Sequence, residues 1–171
     1  RLAFYDAVAE NLAKNKLMVN FHGANTPTGE ERSWPHEMSR EGIYGGEQNI
    51  WAAIGGQHYC ALPFTRLISG HADFTGGYFG HGPKLRGSSW TLQMAANIIY
   101  TSPMLHWVSN PADMKAAFPK DSPEREVVRN IPSVWEETIV LPPSAIGECA
   151  AFARRSGNQW YIALMNGDGS E

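Results

Sequence analysis

Alternating helical and strand-like segments give way near residue 133 to strand-like runs with no helix between them, and this change of pattern constrains the fold more than any other feature of the sequence. Over residues 2–15, Leu2, Tyr5, Ala9 and Leu12 recur at steps of three and four, the spacing of an amphipathic surface helix. Leu17 to His22 is short, mostly apolar and closed by Gly23, which predicts a buried strand with polar groups at its C-terminal end. A second helix is expected from a Ser88 or Ser89 cap through Ile99, stopped by Ser102-Pro103, and Met104 to Val108 reads as the strand that it feeds. Ser122 followed by Pro123, Glu124 and Glu126 marks a third helix, reaching Asn130. Trp135–Leu141, Ile146–Arg154 and Trp160–Met165 then read as strands separated by Pro142-Pro143 and Ser156-Gly157-Asn158. An α/β unit ending and an all-β unit beginning is the expected organisation.

The chain has 171 residues, with 14 basic and 17 acidic side chains and a formal charge of −3, which excludes a nucleic-acid binder built on bulk positive charge. At 43% hydrophobic and 18% charged residues it can bury a sizeable core. No apolar run approaches the roughly 18 residues of a membrane span. Cys60 and Cys149 are too few for a disulfide scaffold or a four-cysteine zinc site, and the sequence leaves a bridge between them undecided. The first residue is Arg1 and the last, Glu171, follows a strand-like run, so both ends read as cut and the chain as a fragment. An α/β barrel alone takes about 250 residues, so only part of each unit is expected here.

Function is concentrated in the irregular stretches. From Ala24 to Gly46 the composition turns to Asn, Thr, Pro and Gly, and residues 70–87 form a second loop punctuated by Gly70, Gly76, Gly77, Gly80, Gly82, Pro83 and Gly87. Between them, Tyr59 to Thr65 reads as a strand end with Pro63 at its exit. Within the first loop, Glu41 and Glu47 lie six residues apart around Gly42, Gly45 and Gly46. On a helix that spacing separates two side chains, whereas a glycine-curved loop can turn both toward one point. There they can hold a hard cation or act as acid and base, the alternative being two solvated surface glutamates. Asn20 and His22 share a face at the C-terminal end of the first strand. A zinc site from His22, His36 and Glu37 or Glu41 is a further arrangement, without an HExxH pattern behind it. Trp34, Tyr44, Trp51, Tyr78 and Phe79 offer rings for stacking on sugars or for core packing, and Asp73 and Arg66 offer either hydroxyl contacts or a loop salt bridge. Dinucleotide, P-loop and nucleophile-elbow patterns are absent.

At Val19-Asn20-Phe21-His22-Gly23-Ala24, then Pro27-Thr28-Gly29, Arg32, Trp34-Pro35, Arg40-Glu41-Gly42 and Gly45 to Glu47, the chain resembles glycoside hydrolase family 97. The likeness continues through Leu62 to Arg66, Asp73-Phe74-Thr75, Ser102-Pro103, Pro132 and Trp135 to Thr138. It implies an α-glycosidase and an α/β fold, with residues 1–132 the C-terminal part of a catalytic (β/α)8 TIM barrel and residues 133–171 the beginning of a C-terminal β-sandwich domain. It also implies a calcium ion held by Glu41 and Glu47, Glu47 as the general acid, and His22 and Asn20 as sugar contacts. Inverting members carry a glutamate directly after the histidine, and here that residue is Gly23. The resemblance is therefore to the retaining, α-galactosidase-like branch, whose aspartate nucleophile lies on an earlier strand, upstream of Arg1. Asn20 departs from the aspartate common in that branch. The alternatives are an inverting α-glucosidase of the same family and a non-catalytic carbohydrate-binding or structural fragment. Family habit implies an oligosaccharide substrate and a periplasmic or secreted bacterial location.

Overall fold

The computed structural model describes residues 2–80 and 85–168. Of the loop expected over 70–87, Gly82 and Pro83 lie outside the described residues, as do Arg1 and Glu171 at the two ends. The elements in order are α1 (Leu2–Lys14), β1 (Val19–Phe21), α2 (Glu30–Ser33), β2 (Glu37–Arg40), α3 (Gly56–Ala61), α4 (Trp90–Ile99), α5 (Pro111–Ala117), α6 (Pro123–Asn130), β3 (Glu137–Val140), β4 (Cys149–Ser156) and β5 (Gln159–Asn166), with 3-10 turns at Gly46–Ile50, Leu62–Phe64 and Arg66–Ser69. The described residues form a mixed α/β arrangement with two small sheets. None of the described helices is long and apolar enough to cross a membrane.

The helices begin where their caps dictate. Ser89 Oγ accepts from Leu92 N at 3.1 Å and Ser122 Oγ from Arg125 N at 3.2 Å, each satisfying an end-of-helix donor. α5 starts in the same way, with Asn110 Oδ1 accepting from Ala112 N and Asp113 N at 2.9 Å and Pro111 following.

Two segments depart from expectation. Tyr59 to Thr65 is not a strand end: Gly56–Ala61 is helical and Leu62–Phe64 continues as a 3-10 turn. The fully buried Tyr59 and Cys60 face the core from that helix, and Pro63 sits where a 3-10 turn leaves its missing N–H without consequence. Met104 to Val108 does not form a strand either, and makes an isolated parallel bridge from Trp107 to Gly76.

β1 and β2 pair in parallel, with Phe21 beside Arg40, and Arg40 in turn bridges Ala72 in parallel. Phe21, Arg40 and Ala72 thus form a row across three segments running the same way. β2 is a mostly buried strand with a charged residue, Glu37 and Arg40, at each end. Arg40 is 1% exposed, and Glu37 holds its Nε at 2.6 Å and Nη2 at 2.9 Å, while Asn25 Oδ1 accepts from Nη1 at 3.0 Å. The rings of Tyr5 and Phe21 cover the guanidinium at 4.8 and 5.1 Å, which ties α1 and β1 to this strand.

The second sheet is antiparallel in the order β3-β4-β5. β4 turns into β5 through Gly157-Asn158, with Gly157 at φ +57°, the left-handed first position that a two-residue hairpin turn takes readily as glycine. Its inner face, with Ala150, Phe152, Ala163 and Met165, joins Tyr59, Cys60, Phe74, Ile99 and Tyr100 in one apolar cluster. That cluster crosses the expected boundary at residues 132 and 133. The outer face leaves Ile139, Trp160, Ile162 and Leu164 exposed. Cys60 and Cys149 are both free thiols.

Candidate active site

The row formed by Phe21, Arg40 and Ala72 is followed on each segment by one site residue: His22, Glu41 and Asp73. Successive strand residues face opposite ways. The row therefore sends Arg40 inward against Phe21 and the next residues toward a common point at the C-terminal ends. Hydrogen bonds extend the alignment past the strands, from Glu41 N to Phe21 O at 2.8 Å and from Asp73 N to Arg40 O at 3.4 Å.

The glycine-rich turn then delivers Glu47. Gly42 takes φ +40°, and a Cβ on it would lie 2.6 Å from the carbonyl carbon of Asn25, so only glycine fits. Gly46 N donates to Phe74 O at 2.6 Å, and Glu47 N donates to Thr75 Oγ1 at 3.2 Å. Thr75 itself adopts φ +53°, a costly conformation for a β-branched residue, and its hydroxyl donates to Phe74 O at 2.7 Å.

His22 Nε2 consequently lies 3.3 Å from Glu47 Oε2 and 3.5 Å from Glu41 Oε1. Ligand atoms of His22, Glu41 and Glu47 all fall within 4.8 Å of one another. On the other side of the ring, His22 Nδ1 is 3.2 Å from Asp73 Oδ2. Asn20 Nδ2 donates to the same oxygen at 2.6 Å, so Asn20 reaches this cluster through Asp73. Glu41 is buried and its other oxygen accepts from Gly23 N.

The electrostatics follow from this crowding. Burial pushes Glu41 above the ordinary carboxylate range, the Gly23 N–H and the His22 charge pull it back, and neighbouring Glu47 pushes it up again. For His22, burial disfavours the imidazolium, but the Asp73 hydrogen bond and the charges of Glu41, Glu47 and Asp73 outweigh it and raise the pKa. Asp73, although desolvated, is held below its ordinary value by Asn20, His106 and His22. The site therefore concentrates three carboxyl groups around an imidazole that favours its charged form.

The sequence-predicted candidates separate clearly. His22, Glu41 and Glu47 come together, with Asn20 behind them. The zinc arrangement does not assemble, because His36 Nε2 is satisfied at 2.8 Å by Ala9 O and Glu37 is bound to Arg40. Phe79 is fully buried against Phe118 and Trp107, a core residue, whereas Tyr44 and Trp51 are exposed. Arg66 forms no salt bridge with Asp73: its guanidinium donates to the carbonyls of Gly42, Gly70, Arg40, Glu41 and His71. His106, whose Nδ1 lies 3.1 Å from Asp73 Oδ2, was not readable as a site residue. A histidine in an apolar run offers no spacing signal.

Comparison with known proteins gives the chain's relatives. Residues 1–43 match the profile described as "Glycoside hydrolase 97", and residues 134–171 match "Glycosyl-hydrolase 97 C-terminal, oligomerisation". The chain is 34% identical over 161 residues to a probable retaining alpha-galactosidase of Streptomyces bingchenggensis, covering 94% of this chain and 24% of that protein. It is 29% identical over 173 residues to a retaining alpha-galactosidase of Bacteroides thetaiotaomicron, with 94% and 25% covered. The chain thus spans about a quarter of the length of these relatives. Among solved structures, a family 97 enzyme from Pseudoalteromonas sp. strain K8 in complex with acarbose superposes with a TM-score of 0.82 at 26% identity, covering 95% of this chain and 26% of that one. Two family profiles, the curated relatives and the shared fold lead to one assignment: the chain belongs to glycoside hydrolase family 97.

Proposed function

We propose that this chain supplies the acid/base side of the active site of a retaining α-galactosidase, with Glu47 as the proton donor to the glycosidic oxygen. The observation that carries the reading is the convergence of Glu47, Glu41 and His22 at the C-terminal ends of parallel segments. In this reading residues 1–132 are the C-terminal part of a (β/α)8 barrel and residues 133–171 begin a C-terminal β-sandwich domain, in a periplasmic or secreted protein. The names of the two curated relatives support α-galactoside as the substrate.

Gly23 supports retention. It has no side chain with which to activate water, and its N–H is already committed to Glu41. Attack then falls to an aspartate on a segment outside this sequence, forming a glycosyl-enzyme, after which Glu47 takes the proton of the incoming water. His22 binds a sugar hydroxyl or steadies Glu47, and Asn20 fixes the ring of His22 indirectly by sharing Asp73 with it.

The donor set also fits a calcium ion. Glu41 and Glu47 present hard oxygen ligands side by side, and their mutual repulsion, part of what raises Glu41, is relieved by a divalent cation. His22 contributes a softer nitrogen and is assigned to the sugar. When bound, such an ion supplies positive charge beside the departing oxygen.

The test is Glu47→Gln in the family-length enzyme, this chain joined to the upstream segment that its relatives carry. Hydrolysis of an α-galactoside with a poor leaving group should fall by about 100-fold or more, and much less with an activated leaving group. Proton NMR should find the α-anomer first. Undiminished activity in Glu47→Gln overturns the acid role, and β-anomer first would favour the inverting α-glucosidase reading.

A further inference from the structure

We propose that Asp73 is the positioning residue of this site and that His106 is a second imidazole presented to the sugar. The inference rests on the glycosidase reading above and adds a binding residue to it. Asp73 is 3% exposed, yet its Oδ2 receives three side chains: Asn20 Nδ2 at 2.6 Å, His106 Nδ1 at 3.1 Å and His22 Nδ1 at 3.2 Å. Its other oxygen, Oδ1, is buried without a partner, so the bonding of the carboxylate converges on one atom. An anion at that point selects the tautomer of the rings that donate to it. Each imidazole must place its hydrogen on Nδ1 to donate to Asp73, which directs Nε2 of each ring away from the carboxylate.

For His22 the outward atom is the one that meets Glu47 and Glu41. His106 is built to the same plan. Both side chains are 44% exposed, half sunk against Asp73 and half open. In the neutral ring, Nε2 of His106 is an acceptor, suited to a hydroxyl of a pyranoside. The contact of 3.2 Å between Asn20 Nδ2 and His106 Nδ1 brings two donors together once Nδ1 carries its hydrogen, so the pull of anionic Asp73 decides the ring's orientation.

The position is set by the backbone. Ala72 bridges Arg40, Ala72 N donates to Thr101 O at 3.1 Å, and Trp107, directly after His106, bridges Gly76. The segments that carry Asp73 and His106 are thereby held side by side, and the two side chains close the remaining gap at 3.1 Å. A small pocket bounded by Asp73, Thr75, Asn97, Ser102 and His106 adjoins them.

The experiment uses the family-length enzyme and calorimetric binding of galactose- and glucose-configured iminosugars, which needs no turnover. His106→Ala should weaken the preferred iminosugar about tenfold, the loss expected of one hydrogen bond to a ligand hydroxyl. Asp73→Ala should cost more than either histidine alone, and formate, occupying the vacated carboxylate position, should restore part of the binding and of kcat. A fold-stabilising role alone would not respond to formate. If the wild type binds an iminosugar and His106→Ala binds it equally tightly, or if formate restores nothing to a folded Asp73→Ala, this proposal falls while the glycosidase reading stands. If the wild type binds neither sugar, both fall.

Discussion

The guanidinium of Arg66 donates to the main-chain carbonyl of Glu41 at 2.9 Å and leaves its carboxylate free to face His22. The same nitrogen donates to the carbonyls of Arg40 and His71, and Nε and Nη1 take those of Gly42 and Gly70. One planar cation therefore staples the exit of β2 to the segment leading into Asp73. Its burial without an acid partner lowers its pKa.

Arg66→Lys keeps the charge but cannot span five carbonyls, because an ammonium has three donors radiating from one atom. We expect a loss of about 2 kcal/mol in stability from carbonyls left unpaired, with activity falling further as Glu41 loses its register. Denaturant unfolding and kcat measured together check this. A variant with wild-type stability and activity would show that the staple is dispensable.

Gly42→Ala acts on the same loop from the opposite side. At φ +40°, with the Asn25 and Thr26 backbone in the place of its Cβ, alanine requires the turn to open. Destabilisation of at least about 2 kcal/mol is expected, combining left-handed strain with overlap. Gly23→Ala is the contrast. It too has positive φ, but a Cβ there meets nothing within 4 Å, so its cost should be smaller. Thermal unfolding of the two variants should rank them in that order.

What the sequence disclosed and what it hid differ by how local the cause is. The spacing of Leu2, Tyr5 and Ala9 and the caps at Ser89 and Ser122 announce their helices because each signal lies within one turn. α5 carries the same kind of local cap at Asn110-Pro111. Tyr59 to Thr65 misled because a short apolar run is compatible with strand or helix, and packing of Tyr59 and Cys60 decided for helix. β2 was hidden because its burial is compensated by the Arg40–Glu37 pair instead of apolar side chains. In the site, Glu41 and Glu47 announce themselves by their glycines. Asp73 and His106 meet His22 and Asn20 only through the parallel alignment of distant segments, which no local spacing encodes.

The calcium reading predicts a response to chelation. Treating the family-length enzyme with EGTA should lower activity and thermal stability together, and added calcium should restore both, since a ligand at about 100 times its Kd stabilises the folded state by about 2.7 kcal/mol. Glu41→Gln should need about tenfold or more calcium for the same restoration, having lost one anionic ligand. Indifference of both proteins to EGTA would remove calcium from the site.

Cys60 supplies a prediction in pH. The thiol is fully buried beneath β4, and burial pushes its pKa up to about 11 from an ordinary 9. The folded state therefore prefers the neutral thiol, and its contribution is complete below pH 9, where the unfolded chain is also protonated. Above pH 9 the unfolded chain releases a proton that the folded chain keeps, so this stability is lost progressively as the pH rises toward 11, on the order of 2–3 kcal/mol in total. Cys60→Ala or Cys60→Ser should flatten that alkaline fall in denaturant midpoint relative to wild type, whatever its cost near neutrality. The same burial predicts that a thiol reagent at pH 8 labels the partly exposed Cys149 in the folded protein and reaches Cys60 only on unfolding. Equal labelling rates at the two positions would contradict the packing of Cys60 and, with it, the alkaline prediction.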